Sequence, residues 1–198
     1  KGFFEIQDAG SQAIAPFLQA EPGMYVIDAC AGGGGKTLHL AALMQNKGHI
    51  VALDVEEKKL TNLETRAKRA DATIVESCLI SDASIARLYQ KADRLLLDVP
   101  CTGLGVLNRN PDAKWKLSIK EIDRVRKIQQ SILENYPSML KKKGIMVYAT
   151  CSILPSENSN QVRRFLENHP KDFDLLEEKQ IWPSEGQDGF YMARIQKK

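Results

Sequence analysis

Five short, largely apolar runs recur along the 198-residue chain: "MYVIDACA" (24–31), "HIVALDV" (49–55), "ATIVES" (72–77), "DRLLLDVP" (93–100) and "IMVYATC" (145–151). Runs of this length suit strands buried on both faces, and segments with helical spacing alternate with them. "KTLHLAALMQN" (36–46) and the charge-rich "EEKKLTNLETRAKRA" (56–70) predict two such helices. A long third one is predicted over 118–144. Ser118 and Glu121 form its capping box, Lys141–Lys143 before Gly144 mark its C-terminal end, and Pro137 kinks or interrupts it. "SENSNQVRRFLENH" (156–169) predicts a further helix, and "FDLL" (173–176) with "GFYMARIQK" (189–197) a closing, hairpin-like strand pair. This alternation implies an α/β fold. Its sheet is expected to be open, seven-stranded and mostly parallel, with one antiparallel strand and helices on both faces. Without repeats or a linker, 1–198 reads as one domain, with 1–22 as a lead-in segment.

Composition narrows the setting. The chain is 43% hydrophobic and 27% charged, with a net charge of +3 that permits a nucleic-acid partner without demanding one. No run approaches the eighteen or so apolar residues of a membrane span. Cys30, Cys78, Cys101 and Cys151 form no C-x-x-C pair, which argues against a zinc site and a disulfide scaffold. A reducing cytoplasm is the natural setting, no metal is expected, and any special cysteine would be present for its reactivity.

"DACAGGGGKT" invites a phosphate-loop reading, but a Walker A loop needs a glycine five places before Gly35, and Cys30 stands there. The P-loop ATPase reading therefore stays a minority one. The alternative is a Rossmann-like loop whose glycines admit a nucleoside cofactor. Asp54 then sits at the second strand end for ribose hydroxyls, and Asp82 follows the third, where an adenine amino group could be read. Asp28 adds another acid. A site so rich in carboxylates repels a pyrophosphate and welcomes a sulfonium, which points to S-adenosylmethionine. Singly, each acid is more simply a helix cap or a solvated loop residue.

Cys101 and Cys151 lie just beyond the fourth and fifth strands, in the polar segments Pro-Cys-Thr-Gly and Thr-Cys-Ser, at the edge where ligands bind. Cys78 and Cys30 fit small buried hydrophobes better. Thiols at that edge suit methylation of pyrimidine carbon 5. A thiolate adding to carbon 6 makes carbon 5 nucleophilic, and loss of the carbon 5 proton then lets the thiol leave.

"DACAGGGGKT", "LLLDVPCTGLGVLNRNPDAKWK", "YATCSILPSENSNQV" and "DGFYMARIQK", with the opening "GFFEIQDAGSQ", resemble the signature segments of the Sun/Nop-type RNA cytosine-5 methyltransferases, bacterial ribosomal RNA enzymes among them. The resemblance spans nearly the whole chain in family order, and the paired cysteine motifs are its most specific part. It implies a Rossmann-like methyltransferase fold and a catalytic set in which Cys151 is the nucleophile, Cys101 assists product release and Asp98 lies against the base. It also implies that Cys30, Ala31, Gly32, Gly33, Gly34, Gly35 and Lys36, with Asp54, Asp82 and Asp98, hold S-adenosylmethionine. Gly32-Gly33 stand where the family usually has Ala-Pro, so an altered cofactor affinity is expected, with function retained. Sun-type enzymes generally carry an RNA-binding segment before the cofactor domain; a chain starting at Lys1 is expected to lack it and to bind RNA weakly, as a monomer.

From Arg109 to Lys127, seven cations (Arg109, Lys114, Lys116, Lys120, Arg124, Arg126, Lys127) face three acids around Trp115. Basic residues around an aromatic suit an RNA strand with an unstacked base. A solvated helix face with a buried Trp is about as good a reading of any one of them. Ribosomal RNA is the favoured substrate. Transfer RNA is the alternative, and a small-molecule Rossmann methyltransferase a weaker one.

Overall fold

Seven strands form one sheet in the order β3-β2-β1-β4-β5-β7-β6. They are β1 (Tyr25–Asp28), β2 (His49–Asp54), β3 (Val75–Leu79), β4 (Ala92–Asp98), β5 (Leu140–Thr150), β6 (Phe173–Ile181) and β7 (Phe190–Lys197). The structure, a computed structural model, describes residue 2 and residues 4–198; the side chains of Lys116 and Glu185 fall outside it. β7 runs antiparallel to both β5 and β6, and every other pairing is parallel, as expected. β2 and β3 build outward from one side of β1, and the chain then crosses to lay β4 on the other side. The crevice between the carboxyl ends of β1 and β4 is thus a topological switch point, where open α/β sheets hold ligands.

Successive residues of the central strands feed two cores. Ile27, Val51, Leu53, Leu95, Leu97 and Tyr148 belong to one, which is covered by α5 (Asp82–Arg87), α7 (Ile119–Asn135) and α8 (Ser159–Asn168). Val26, Ile50, Leu96, Val147 and Ala149 join the other, beneath α2 (Ile14–Leu18) and α3 (Gly35–Leu43). Because both faces are buried, these strands read as continuous apolar runs. Each fully buried Leu or Ile contributes about 1.5–3 kcal/mol by leaving water.

Five expectations are corrected. The long helix ends at Asn135, and Tyr136–Met139 form a 3-10 turn with Pro137 in its first turn, where the missing amide N–H costs nothing. Lys141–Lys143 are consequently not a helix terminus. They lie at the start of β5, in a register shift against β4, and Lys141 Nζ bonds Asp93 Oδ1 at 2.7 Å. Only half of the capping box forms as expected, with Ser118 Oγ accepting from the Glu121 N–H. The last two corrections concern length: the sixth strand runs through the polar "EEKQI" to Ile181, and β3 is shifted to Val75–Leu79. β6 is an edge strand with a mostly exposed face, so backbone pairing with β7, not an apolar pattern, defines it.

The lead-in also folds. Asp8 Oδ1 accepts from the N–H groups of Gly10 and Ser11 to cap α1 (Ala9–Gln12), and Ile14, Ala15 and Leu18 of α2 are fully buried. Phe3 of the opening motif lies outside the described residues.

Candidate active site

The parallel strands deliver their carboxyl ends, and the acids on them, to one edge. Asp28 closes β1, Asp54 closes β2 and Asp98 closes β4, while Cys151 follows β5 directly. The glycine loop from Cys30 to Gly34 leads from β1 into α3. Gly32 N–H donates to Asp54 Oδ2 at 2.9 Å and Glu56 N–H to Asp54 Oδ1 at 3.0 Å, so Asp54 braces the loop. Gly32 adopts φ +55°, and a Cβ there or at Gly35 would meet nothing within 4 Å: the loop backbone borders open space. Gly32 thus takes a left-handed backbone conformation that residues with a Cβ rarely adopt. Arg66, held by Glu5, donates to the Gly33 carbonyl and ties the lead-in to the loop. Cys30 and Cys78 pack, partly buried, against the core, as small hydrophobes do. Ala31 is buried beside Ala52 and Leu63.

Gly34 is the constrained member. Its φ is +85° and a Cβ would come within 2.7 Å of Leu63 Cγ, on α4 (Glu57–Arg69). Gly34→Ala is expected to destabilise the fold by about 1–3 kcal/mol through backbone strain and this clash, read as a lowered midpoint in denaturant unfolding.

Lys36, on the first turn of α3, reaches across the switch point to Asp98, with Nζ 2.6 Å from Oδ2, and lies 5.6 Å from the Phe190 ring centroid. Burial pulls its pKa down, but the Asp98 carboxylate outweighs burial and the net shift is upward, so Lys36 is a fixed cation. Asp28 is almost wholly buried. Thr37 Oγ1 donates to its Oδ2 at 2.7 Å, while Oδ1 has no hydrogen-bond partner among the described residues. Burial pushes the Asp28 carboxyl up to about 7, opposed by the Thr37 hydrogen bond.

That shift predicts a pH dependence. Between about pH 4 and 7 the folded state keeps a proton that the unfolded chain has lost, so stability falls as pH rises through that window. The loss amounts to about 4 kcal/mol at its upper limit. Asp28→Asn should match the native protein near pH 4 and exceed it in stability at pH 8. A stability difference that does not vary with pH refutes this.

The two cysteines of interest meet. Cys101 Sγ lies 3.2 Å from Cys151 Sγ although the residues are 50 apart in sequence. The Cys101 S–H hydrogen bond holds Cys151 below the ordinary thiol range against the opposing effect of burial, and the Lys36 cation assists. Cys101 is pushed well up by the same hydrogen bond and by burial. The pair thus favours a thiolate on Cys151 and a proton on Cys101. Nothing in the spacing of "LLLDVPCTG" and "YATCS" dictates that contact; it follows from the pairing of β4 with β5, in which Asp98 is opposite Ala149.

Not every candidate joins this group. Asp82 is exposed on the first turn of α5, where Ser81 and Ser84 form a reciprocal capping box and leave its carboxylate no capping duty. In the basic segment, Arg109 pairs with the buried Asp188, Arg124 with Glu121 at 2.6 Å and Arg126 with Asp123 at 3.3 Å. Trp115 is no core residue: it is 80% exposed on α6 (Ala113–Lys116), with Lys114 Nζ 4.9 Å from its ring centroid. Lys116's side chain lies outside the described residues.

A buried polar network around Glu157, with Thr102, Gln129 and Ser152, escaped the sequence reading. The polar "PSEN" (155–158) follows β5 after four intervening residues, and nothing in it distinguishes a buried glutamate from a surface one.

The family model of the 16S rRNA methyltransferases RsmB/F matches residues 15–196. A ribosomal RNA small subunit methyltransferase B of Yersinia pseudotuberculosis is 36% identical over 208 aligned residues, covering all of this chain and 48% of the relative. The chain thus spans about half the length of the curated relatives it matches. The crystal structure of NSun6 from Pyrococcus horikoshii with SFG superposes at a TM-score of 0.90 with 29% identity, covering 100% of this chain and 54% of that one. A methyltransferase homolog protein from the same organism gives 0.86 at 31% identity, covering 100% and 68%. With seven strands in methyltransferase order and both cysteine motifs brought to one edge, the chain belongs to the RsmB/F family of 16S rRNA methyltransferases.

Proposed function

We propose that this chain methylates carbon 5 of a cytosine in RNA, with ribosomal RNA as the substrate class, through a covalent adduct with Cys151. The observation that carries the reading is the contact of Cys151 with Cys101 at 3.2 Å, on the sheet edge where Lys36 pairs with Asp98. Methylation of an oxygen or an exocyclic amine has no use for such a thiol pair.

S-adenosylmethionine, when bound, supplies an electrophilic methyl group carried on a sulfonium. The residues present fit it. The loop Cys30–Lys36 offers backbone bordering open space, Asp54 stands braced beside it, and Asp28 keeps an unpartnered buried oxygen. Asp54 and Asp98 on this edge, with Asp28 ionising near pH 7, favour a cation over a pyrophosphate. Asp82, the acid beyond β3, stands apart from this set on the exposed first turn of α5.

The chain's own residues then divide the work. The Cys151 thiolate adds to carbon 6 of the cytosine and leaves carbon 5 electron-rich. Asp98, fixed by Lys36, holds the edge of the ring. After methyl transfer, water at the site accepts the carbon 5 proton, the C–H electron pair restores the 5,6 double bond, and the carbon 6–sulfur bond breaks with its pair returning to Cys151 as thiolate. Cys101 assists this release. Trp115 and the cations around it provide a stacking platform and a path for the RNA backbone.

The test is incubation with labelled methyl donor and total RNA, followed by location of the methylated nucleotide, alongside trapping on RNA containing 5-fluorocytidine. Label at cytosine carbon 5 and a cysteine-dependent adduct are expected. Label elsewhere, or failure to trap with both cysteines intact, overturns the reading.

A further inference from the structure

Glu157 is fully buried, and its carboxylate accepts four hydrogen bonds, all from neutral donors. Oε1 accepts from Thr102 Oγ1 at 2.6 Å and Ser152 Oγ at 3.0 Å. Oε2 accepts from the Thr102 N–H at 2.8 Å and Gln129 Nε2 at 3.1 Å. Thr102 directly follows Cys101 and Ser152 directly follows Cys151, so a single carboxylate ties together the residues next to both thiols. Gln129 Nε2 also donates to the carbonyl of Pro100, on the other side of Cys101, at 2.9 Å. The base of the clamp is rigid: Tyr148 Oη donates to the Glu157 carbonyl at 2.6 Å, and Asn158 Nδ2 to the Ser152 carbonyl at 2.9 Å.

Burying a carboxylate among neutral groups costs several kcal/mol before its hydrogen bonds are counted, and an apolar packing of the same volume is often at least as stable. What an apolar side chain cannot do is fix two separate loops by four directed bonds. Glu157 hydrogen-bonds neither sulfur, so it acts on them through where it places them and through its field. Its charge also favours the protonated form of Cys101.

We propose that Glu157 is the positioning residue that sets Cys101 against Cys151, and that its effect falls on the release of methylated RNA. The proposal rests on the cytosine-5 reading above. Release requires transfer of the carbon 5 proton to water, its C–H pair forming the 5,6 double bond, and cleavage of the carbon 6–sulfur bond, with that pair returning to Cys151 as thiolate. A Cys101 loop freed from its clamp no longer presents its thiol to that step, whereas Cys151, anchored on β5, still adds to the base.

Glu157→Gln keeps the volume but puts an amide NH2 against donors. Thr102→Val removes a single hydroxyl and is the milder variant, decisive if the first does not fold. Both are compared with the native protein and Cys101→Ala on cytidine RNA, reading denaturation-resistant protein–RNA adduct, single-turnover methyl transfer and steady-state turnover. We expect both variants to accumulate adduct as Cys101→Ala does and to lose turnover roughly 10–100-fold, the scale of a misplaced catalytic group. First-turnover methyl transfer, measured at a pH above the acid limb of adduct formation, should stay near native. Slow turnover without adduct in a folded variant, where Cys101→Ala does accumulate it, overturns the role of Glu157 alone. Absence of adduct from Cys101→Ala as well overturns the cytosine-5 reading itself.

Discussion

Cys151→Ala is expected to lower methyl transfer to RNA by on the order of 10^4-fold or more, the scale on which loss of a nucleophile is felt in covalent catalysis. The argument is electrostatic and geometric. A thiol of ordinary pKa is a few per cent thiolate at neutral pH. Here the Cys101 S–H and the Lys36 cation both favour the charged form, and together they outweigh burial. Serine in its place offers an oxygen that these neighbours cannot ionise near neutrality, so Cys151→Ser should fail almost as completely. The substitution leaves the core intact, because Cys151 is only a partly buried neighbour of it. Methyl-donor binding should therefore survive while incorporation of labelled methyl and 5-fluorocytidine trapping both vanish. Activity within tenfold of native in a folded Cys151→Ala protein contradicts covalent catalysis.

Much of this arrangement was legible in the sequence because the sheet is buried on both faces. "VALDV" and "LLLDV" announce central strands by apolar content alone, and their terminal acids mark the ligand edge. The glycine loop was legible by what it lacked, since Cys30 stands where a phosphate loop has glycine and makes that reading the weaker one. The contact between Cys101 and Cys151 was not derivable from spacing; it depends on which strands become neighbours, and β4 beside β5 is a tertiary fact. Glu157 was hidden for a related reason. A buried carboxylate looks like any surface glutamate in a sequence, and only its four donors, drawn from three other segments, reveal it. The misplaced lysines 141–143 show the converse error. A cationic run before a glycine imitates a helix end, but Pro137 had already ended the helix.

Cys101→Ala should separate the two halves of the reaction. The first half needs only a nucleophile, which Cys151 still provides; the second loses the thiol placed 3.2 Å away. Turnover should fall by about 10^2-fold or more, the scale of proton-transfer assistance, and the protein should appear covalently attached to unmodified cytidine RNA. The same substitution removes the hydrogen bond that most lowers the Cys151 pKa. With that donor gone, a higher pH is needed to form the thiolate, so the acid limb of the rate of adduct formation must move toward higher pH. The Lys36 cation remains and bounds the shift. Cys101→Ser is the control that distinguishes the two effects, because a hydroxyl still donates to the Cys151 thiolate. It should restore the pH profile more fully than it restores release. Native turnover with no adduct in Cys101→Ala assigns the release step to another group, and an unshifted acid limb removes Cys101 from the acidification of Cys151.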